Sequence, residues 1–90
     1  QDQVVKDMMF LGKFTHEVEN AREKFPSNKH QLAALGEEVG ELQQAMIEHD
    51  VENASAQEVW EEAVQVAAMA LRVATEGDDS FDYDPEDGIQ

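Results

Sequence analysis

The 90-residue chain has no cysteine. A disulfide framework and a thiolate zinc site are therefore excluded, and the cytoplasm, a reducing compartment, is the expected location. Positive charge is scarce: 6 Lys and Arg stand against 21 Asp and Glu, a net charge of −15. A phosphate backbone is bound through a basic surface, so direct nucleic-acid contact is not expected. No apolar run comes near the roughly 18 residues that a membrane helix needs, and no membrane association is expected. The length allows one small domain, whose burial on folding is marginal, and a homodimer or homotetramer is the natural remedy. At 41% apolar residues the chain is nevertheless not disordered throughout.

The few cations are also badly distributed. Lys6, Lys13, Arg22, Lys24 and Lys29 precede residue 30, and Arg72 alone follows. Between Glu37 and Glu62 lie nine acids and no Lys or Arg. Like charges at that density must be solvated, protonated or bound to a counter-ion. From Glu76 onward there are seven acids and no base. We read residues 1–77 as a single helical domain and 78–90 as an acidic, flexible tail, with Phe81 and Tyr83 as its only large anchors.

Apolar periodicity predicts three helices and no strand. The first starts near Asp2 as N-cap, carries Val4, Met8, Leu11, Thr15, Val18 and Phe25 at helical spacing, and ends at Pro26. The second is predicted to open on a capping box, Asn28 with Gln31, and to show a stripe of Leu32, Leu35, Val39, Leu42 and Met46. The third opens on Ser55 with Glu58, runs through Val59, Ala63, Val66, Ala70 and Val73, and stops at Gly77. Trp60, Val64, Ala67, Leu71 and Ala74 widen its apolar arc, which suggests burial on two sides and a neighbouring subunit to provide it. The fold class is all-α.

Carboxylates border these stripes. Glu38 and Glu41 are three apart and share a face of the second helix. Glu62 borders the arc of the third. Antiparallel packing of the two helices lets the three converge, and converging carboxylates suit Mg²⁺, Mn²⁺ or Ca²⁺. Glu37 lies further toward solvent. Glu58 is already explained by its place in a cap. Glu58 and Glu61 offer an alternative register, ranked lower because Glu61 faces away from the core edge. The bland reading of all these acids is a solvated helix face. Trp60, Phe10 and Phe14 are read as packing residues before base-stacking ones, and His16, His30 and His49 have no metal-binding spacing.

The stretch Glu37-Glu38-Val39-Gly40-Glu41-Leu42, with 20 residues between Glu41 and the following Glu62-Ala63-Val64-Gln65, resembles the MazG-like all-α nucleoside triphosphate pyrophosphohydrolase superfamily. Its signature is EExxE, a gap, then ExxD on the next helix. The likeness covers residues 30–78, and extends to the first helix only by place and pattern. It implies dimers or tetramers with a four-helix-type core. It also implies Mg²⁺-dependent cleavage between the α- and β-phosphates, giving a nucleoside monophosphate and pyrophosphate. The implied metal ligands are Glu38, Glu41, Glu62 and Gln65, with Glu37 and Glu58 outside them. Gln65 departs from the signature, since a glutamine offers a neutral oxygen where Asp would bring a charge.

On this reading Glu38 takes the proton from water, while Lys24, Lys29 and Arg72 are the candidate phosphate contacts. The expected task is clearance of nucleotides from the pool. Two alternatives stand beside it. One is a nucleotide- or metal-binding module of the same fold with weakened catalysis. The other is an acidic helical module that docks on a basic protein.

Overall fold

A computed structural model describes residues 2–89. It contains three helices, α1 (Gln3–Lys24), α2 (Gln31–Glu52) and α3 (Ala56–Glu76), and a short 3₁₀ turn at Pro85–Gly88. No strand occurs among the described residues. Asp2 caps α1 by accepting the Val5 N–H at 2.9 Å, and the helix stops just short of Pro26. Ser55 caps α3 by accepting the Gln57 N–H at 3.1 Å. The expected reciprocal bond from the Glu58 side chain does not form among the described residues. Gly77 ends α3 with φ 77°, a conformation that suits glycine. Asn53, also left-handed at φ 57°, ends α2.

The start of α2 departs from the expected capping box. Asn28 does not cap it; its Nδ2 donates to Glu76 O at 3.1 Å, in the last turn of α3. His30 stands at the N-cap in a left-handed conformation and gives no side-chain cap. The free N–H groups are satisfied by residues distant in sequence. Asp78 Oδ2 accepts from Leu32 N–H at 2.6 Å, and Asp79 Oδ1 accepts from His30 N–H at 3.2 Å. Gln31 Nε2 closes the junction on Gly77 O at 2.9 Å. Local pattern gave Asn28 this role because a capping box is a short-range signal, whereas the carboxylate that does the work is 46 residues away. Asp78 is buried, and the N–H groups of Leu32 and Ser80 that it accepts hold its carboxyl below the ordinary range. Beyond it, Tyr83 Oη donates to Ala74 O at 2.9 Å, tying the acidic segment to α3.

α3 is the central helix. α1 and α2 pack on its two sides and not on each other among the described residues. Along its apolar arc Val64 is buried, Trp60, Ala67 and Leu71 are partly covered, and Ala70 and Ala74 are exposed. Trp60 meets Phe10 of α1 edge to face, at 5.5 Å between ring centroids. These two rings are packing residues. Val18, Ala45, Val64 and Ala68 form the buried apolar core.

α2 is rotated relative to its apolar stripe. Its covered row runs through Gln31, Ala34, Glu38, Leu42 and Ala45, with two polar residues among the five. Leu32 and Met46 of the expected stripe are 42% and 53% exposed. α1 shows the same tendency: Val4, Met8 and Leu11 are exposed and Val18 alone is buried. A Cβ at Gly36 or Gly40 would meet nothing within 4 Å in this chain.

Arg72 corrects a further expectation. It was a candidate phosphate contact, yet it is 2% exposed and fully engaged within the protein. Nε and Nη2 donate to the Glu76 carboxylate at 2.9–3.2 Å. Nη1 reaches Ala21 O at 3.3 Å, and Nη2 reaches Phe25 O at 2.6 Å and Ser27 O at 3.4 Å. The guanidinium therefore caps the carbonyl end of α1 from α3, and its charge favours that helix terminus. Arg22 adds a second contact to Glu76 at 2.8 Å. The Arg72 bond, followed by that of Arg22, holds the Glu76 carboxyl below its ordinary range. Replacing Arg72 with Met leaves Glu76 to Arg22 alone and removes a donor from three carbonyls, and should cost about 3–5 kcal/mol in a urea unfolding experiment. A loss under roughly 1 kcal/mol, the scale of an exposed pair, would show that the clasp is not holding α1 in place.

Candidate functional site

Glu38 and Glu41 sit one turn apart on α2, and Glu62 projects from α3 across the seam between the helices. One carboxylate oxygen from each lies within 4.8 Å of the others. Glu38 and Glu62 are partly covered, and Glu41 is exposed. Glu38 Oε2 and Glu62 Oε2 are buried without a hydrogen-bond partner. Buried carboxylate oxygens are strong acceptors and are normally satisfied, so two bare ones beside a third carboxylate call for a proton or a cation. The donor set is all oxygen, which fits Mg²⁺ or Mn²⁺ and not a soft thiophilic metal.

The electrostatics agree with the geometry. Burial, followed by the charges of Glu41 and Glu62, pushes the Glu38 carboxyl up to about 7. Burial, and next the neighbouring Glu41, also pushes Glu62 upward. The ion pairs among the described residues, Arg22–Glu76 and Arg72–Glu76, both lie elsewhere. The three carboxylates are left to a proton or to an external cation.

A cleft of about 560 Å³ opens beside the cluster. Glu38 and Gln65 are part of its wall, as are Glu37, Lys24, Lys29 and Gln31. The volume is in the range of small-molecule sites. Gln65 is partly covered one turn beyond Glu62, so the residue that departs from the signature lines the same cleft as Glu38. Glu37, Lys24 and Lys29 are exposed around this cleft. Glu58 is exposed in the first turn of α3 and outside the group of three. Glu61 is exposed and accepts from Gln57 Nε2 at 3.0 Å, so the alternative register does not deliver it to the cluster. A second concavity of about 440 Å³ lies between Leu32, Leu35, Val73, Phe81 and Tyr83. It is mainly apolar and does not include the three carboxylates.

Sequence reasoning missed Gln31, which it treated only as half of a cap. Gln31 and Glu38 are seven residues apart, two turns of one face, and that spacing was the available signal. It also missed Asp78, which net charge had assigned to the tail. No helix among the described residues is long and apolar enough to cross a membrane. No known protein-family profile, curated protein or solved structure matches the chain.

The raised carboxyls make a signed prediction. Between the unfolded value near 4.5 and the folded value near 7, folded Glu38 holds a proton that the unfolded chain has released. Stability from this group is therefore present at low pH and lost as pH rises through that window. In chelator, the melting temperature of the wild type should fall more steeply from pH 5 to 8 than that of Glu38→Gln. Mn²⁺ should restore more of it at pH 8 than at pH 5.5. Parallel pH profiles for the two proteins would mean that Glu38 is not the strained group.

Proposed function

We propose that the chain is a Mg²⁺-dependent nucleoside triphosphate pyrophosphohydrolase that releases a nucleoside monophosphate and pyrophosphate, and that it acts in clearing nucleotides from the pool. The observation that carries this reading is the convergence of Glu38, Glu41 and Glu62 with two buried oxygens lacking partners. The EExxE arrangement and the next-helix Glu62 supply the reaction class, through the resemblance described above.

Glu38, Glu41 and Glu62 would hold the cation, with Gln65 adding a neutral oxygen. A bound divalent cation supplies positive charge to phosphate oxygens and to the charge that develops as the bridge breaks. Glu38 accepts the proton of the attacking water, and Glu37 stands behind it in the cleft. A carboxylate with one oxygen left free of the cation is the kind of group that can take that proton. The water oxygen bonds to phosphorus, the bond between the α-phosphorus and the bridging oxygen breaks, and the electron pair leaves on pyrophosphate. Lys24 and Lys29, exposed around the cleft, draw an anionic substrate toward an otherwise acidic molecule. The outward apolar residues of α1 and α2 support a homodimer or homotetramer, since a second copy would cover Leu32, Met46 and Ile47.

The test is pyrophosphate release from a panel of ribo- and deoxynucleoside triphosphates, with and without Mg²⁺ or Mn²⁺. Turnover should require the metal. Glu41→Gln should reduce it beyond roughly the hundredfold typical of residues behind the ligands, with the far-ultraviolet dichroism unchanged. Full activity in that variant would remove the site assignment.

Gln65 favours a second reading, a module that binds nucleotide with little turnover. Gln65→Asp adds a charged ligand and should tighten Mn²⁺ binding by roughly tenfold, read by titration calorimetry. A large accompanying gain in turnover would assign the wild type to this second reading. Unchanged Mn²⁺ affinity would place position 65 outside the coordination sphere.

A further inference from the structure

Gln31 opens α2 and is 2% exposed. Its Nε2 donates to Gly77 O, which fixes the amide so that Oε1 is the remaining polar end. That oxygen is buried and accepts no hydrogen bond. Bare buried acceptors are rare in folded proteins, and each one asks for a donor. Gln31 and Glu38 belong to the wall of the same cleft. Their separation of seven residues puts them on one face of α2, about 10 Å apart along its axis. One nucleoside covers that span between its 5′-phosphate and the far edge of its base.

The chemistry of the two ends differs. At the Glu38 end the cluster calls for a cation, and with it phosphate. At the Gln31 end a lone carbonyl oxygen would repel phosphate oxygens, which carry no proton to offer. It needs an N–H. The exocyclic amine of adenine or cytosine is such a donor, whereas a keto oxygen at the same place on hypoxanthine or uracil is an acceptor. Resting on the nucleotide chemistry proposed above, we infer that Gln31 is a specificity-determining residue whose Oε1 accepts a hydrogen bond from the exocyclic amine of the substrate base. The cleft therefore selects amino-bearing bases over their keto counterparts. Discrimination of this kind is strong, because the wrong base leaves the buried oxygen unpaired. Lys24 and Lys29 lie in the same cleft and define the competing orientation, with phosphate at their end and the base elsewhere. That orientation predicts no influence of Gln31 on base choice.

The experiment is equilibrium binding of hydrolysis-resistant α,β-methylene nucleoside triphosphates to the full chain in Mg²⁺. Two pairs are compared, adenine against hypoxanthine and cytosine against uracil. In at least one pair the amino member should bind on the order of tenfold more tightly than its keto partner. Gln31→Met should bring that ratio close to one. Gln31→Glu keeps an acceptor and loses the Nε2 tie to Gly77, so it should retain the preference and separate specificity from a merely structural role. Equal affinities within both pairs for the wild type would overturn this inference and leave the proposed function standing. A preference that survives in Gln31→Met would also overturn it. No binding of any nucleotide would overturn the proposed function and this inference with it.

Discussion

The fold hangs on one buried guanidinium. Arg72 lies on the central helix, and no other residue there could reach the carbonyl end of α1 with a planar array of donors. Its contacts to Ala21, Phe25 and Ser27 fasten the end of α1 and the loop that follows it to α3. Its contact to Glu76 holds the last turn of α3 in the conformation from which Gly77 and Asp78 depart. Asp78 then caps α2. The three helix ends at this pole of the molecule are thus joined by polar bonds in a chain that runs from α1 through Arg72 and Glu76 to α2. Apolar burial in α1 and α2 is too slight to set their positions alone, since the buried apolar core is four small or medium residues.

This arrangement explains why α2 can be rotated as it is. A helix placed by its own apolar stripe would turn Leu32, Val39 and Met46 inward and carry Glu38 at the margin. Instead Gln31 and Glu38 share the covered row with Leu42 and Ala45, and Leu32, Val39 and Met46 look outward. The cap from Asp78 and the Gln31–Gly77 bond fix the helix start, and the covered row follows from it by geometry. The seam between α2 and α3 accordingly bears three buried oxygens without partners, on Gln31, Glu38 and Glu62. Such a seam costs stability as it stands, and it is the kind of local conflict that marks a functional site in an otherwise consistent fold.

Much of this was legible in the sequence. Helical periodicity and caps located α1, α2 and α3 to within a few residues, and the spacing of Glu38, Glu41 and Glu62 located the carboxylates that converge. The rest was not legible, for a common physical reason. The caps of α2, the carbonyl partners of Arg72 and the facing of Gln31 all depend on contacts more than 40 residues apart in the chain. Periodicity reports which residues share a face but not which face turns inward, and on α2 the apolar side was the wrong guide. Charge counting misled in the same way: Asp78 and Glu76 look like the beginning of an acidic tail, yet both are anchors.

The distribution of cations completes the reasoning. α3 carries a carboxylate in its first half, Glu62, and another at its end, Glu76, in opposite electrostatic states. Glu76 receives two guanidinium groups and its carboxyl is held low. Glu62 stands with Glu38 and Glu41 where no Lys or Arg pairs with any of them among the described residues, and the carboxyls of Glu62 and Glu38 are driven up. The chain therefore commits its buried Arg72 to architecture and leaves the carboxylate triad uncompensated. A proton can neutralise Glu38 below about pH 7, but above it the triad needs positive charge from outside. An oxygen-preferring divalent cation would meet that need and, if bound, would reverse the local sign of the field. A molecule at −15 could then receive a polyphosphate at this one point on its surface.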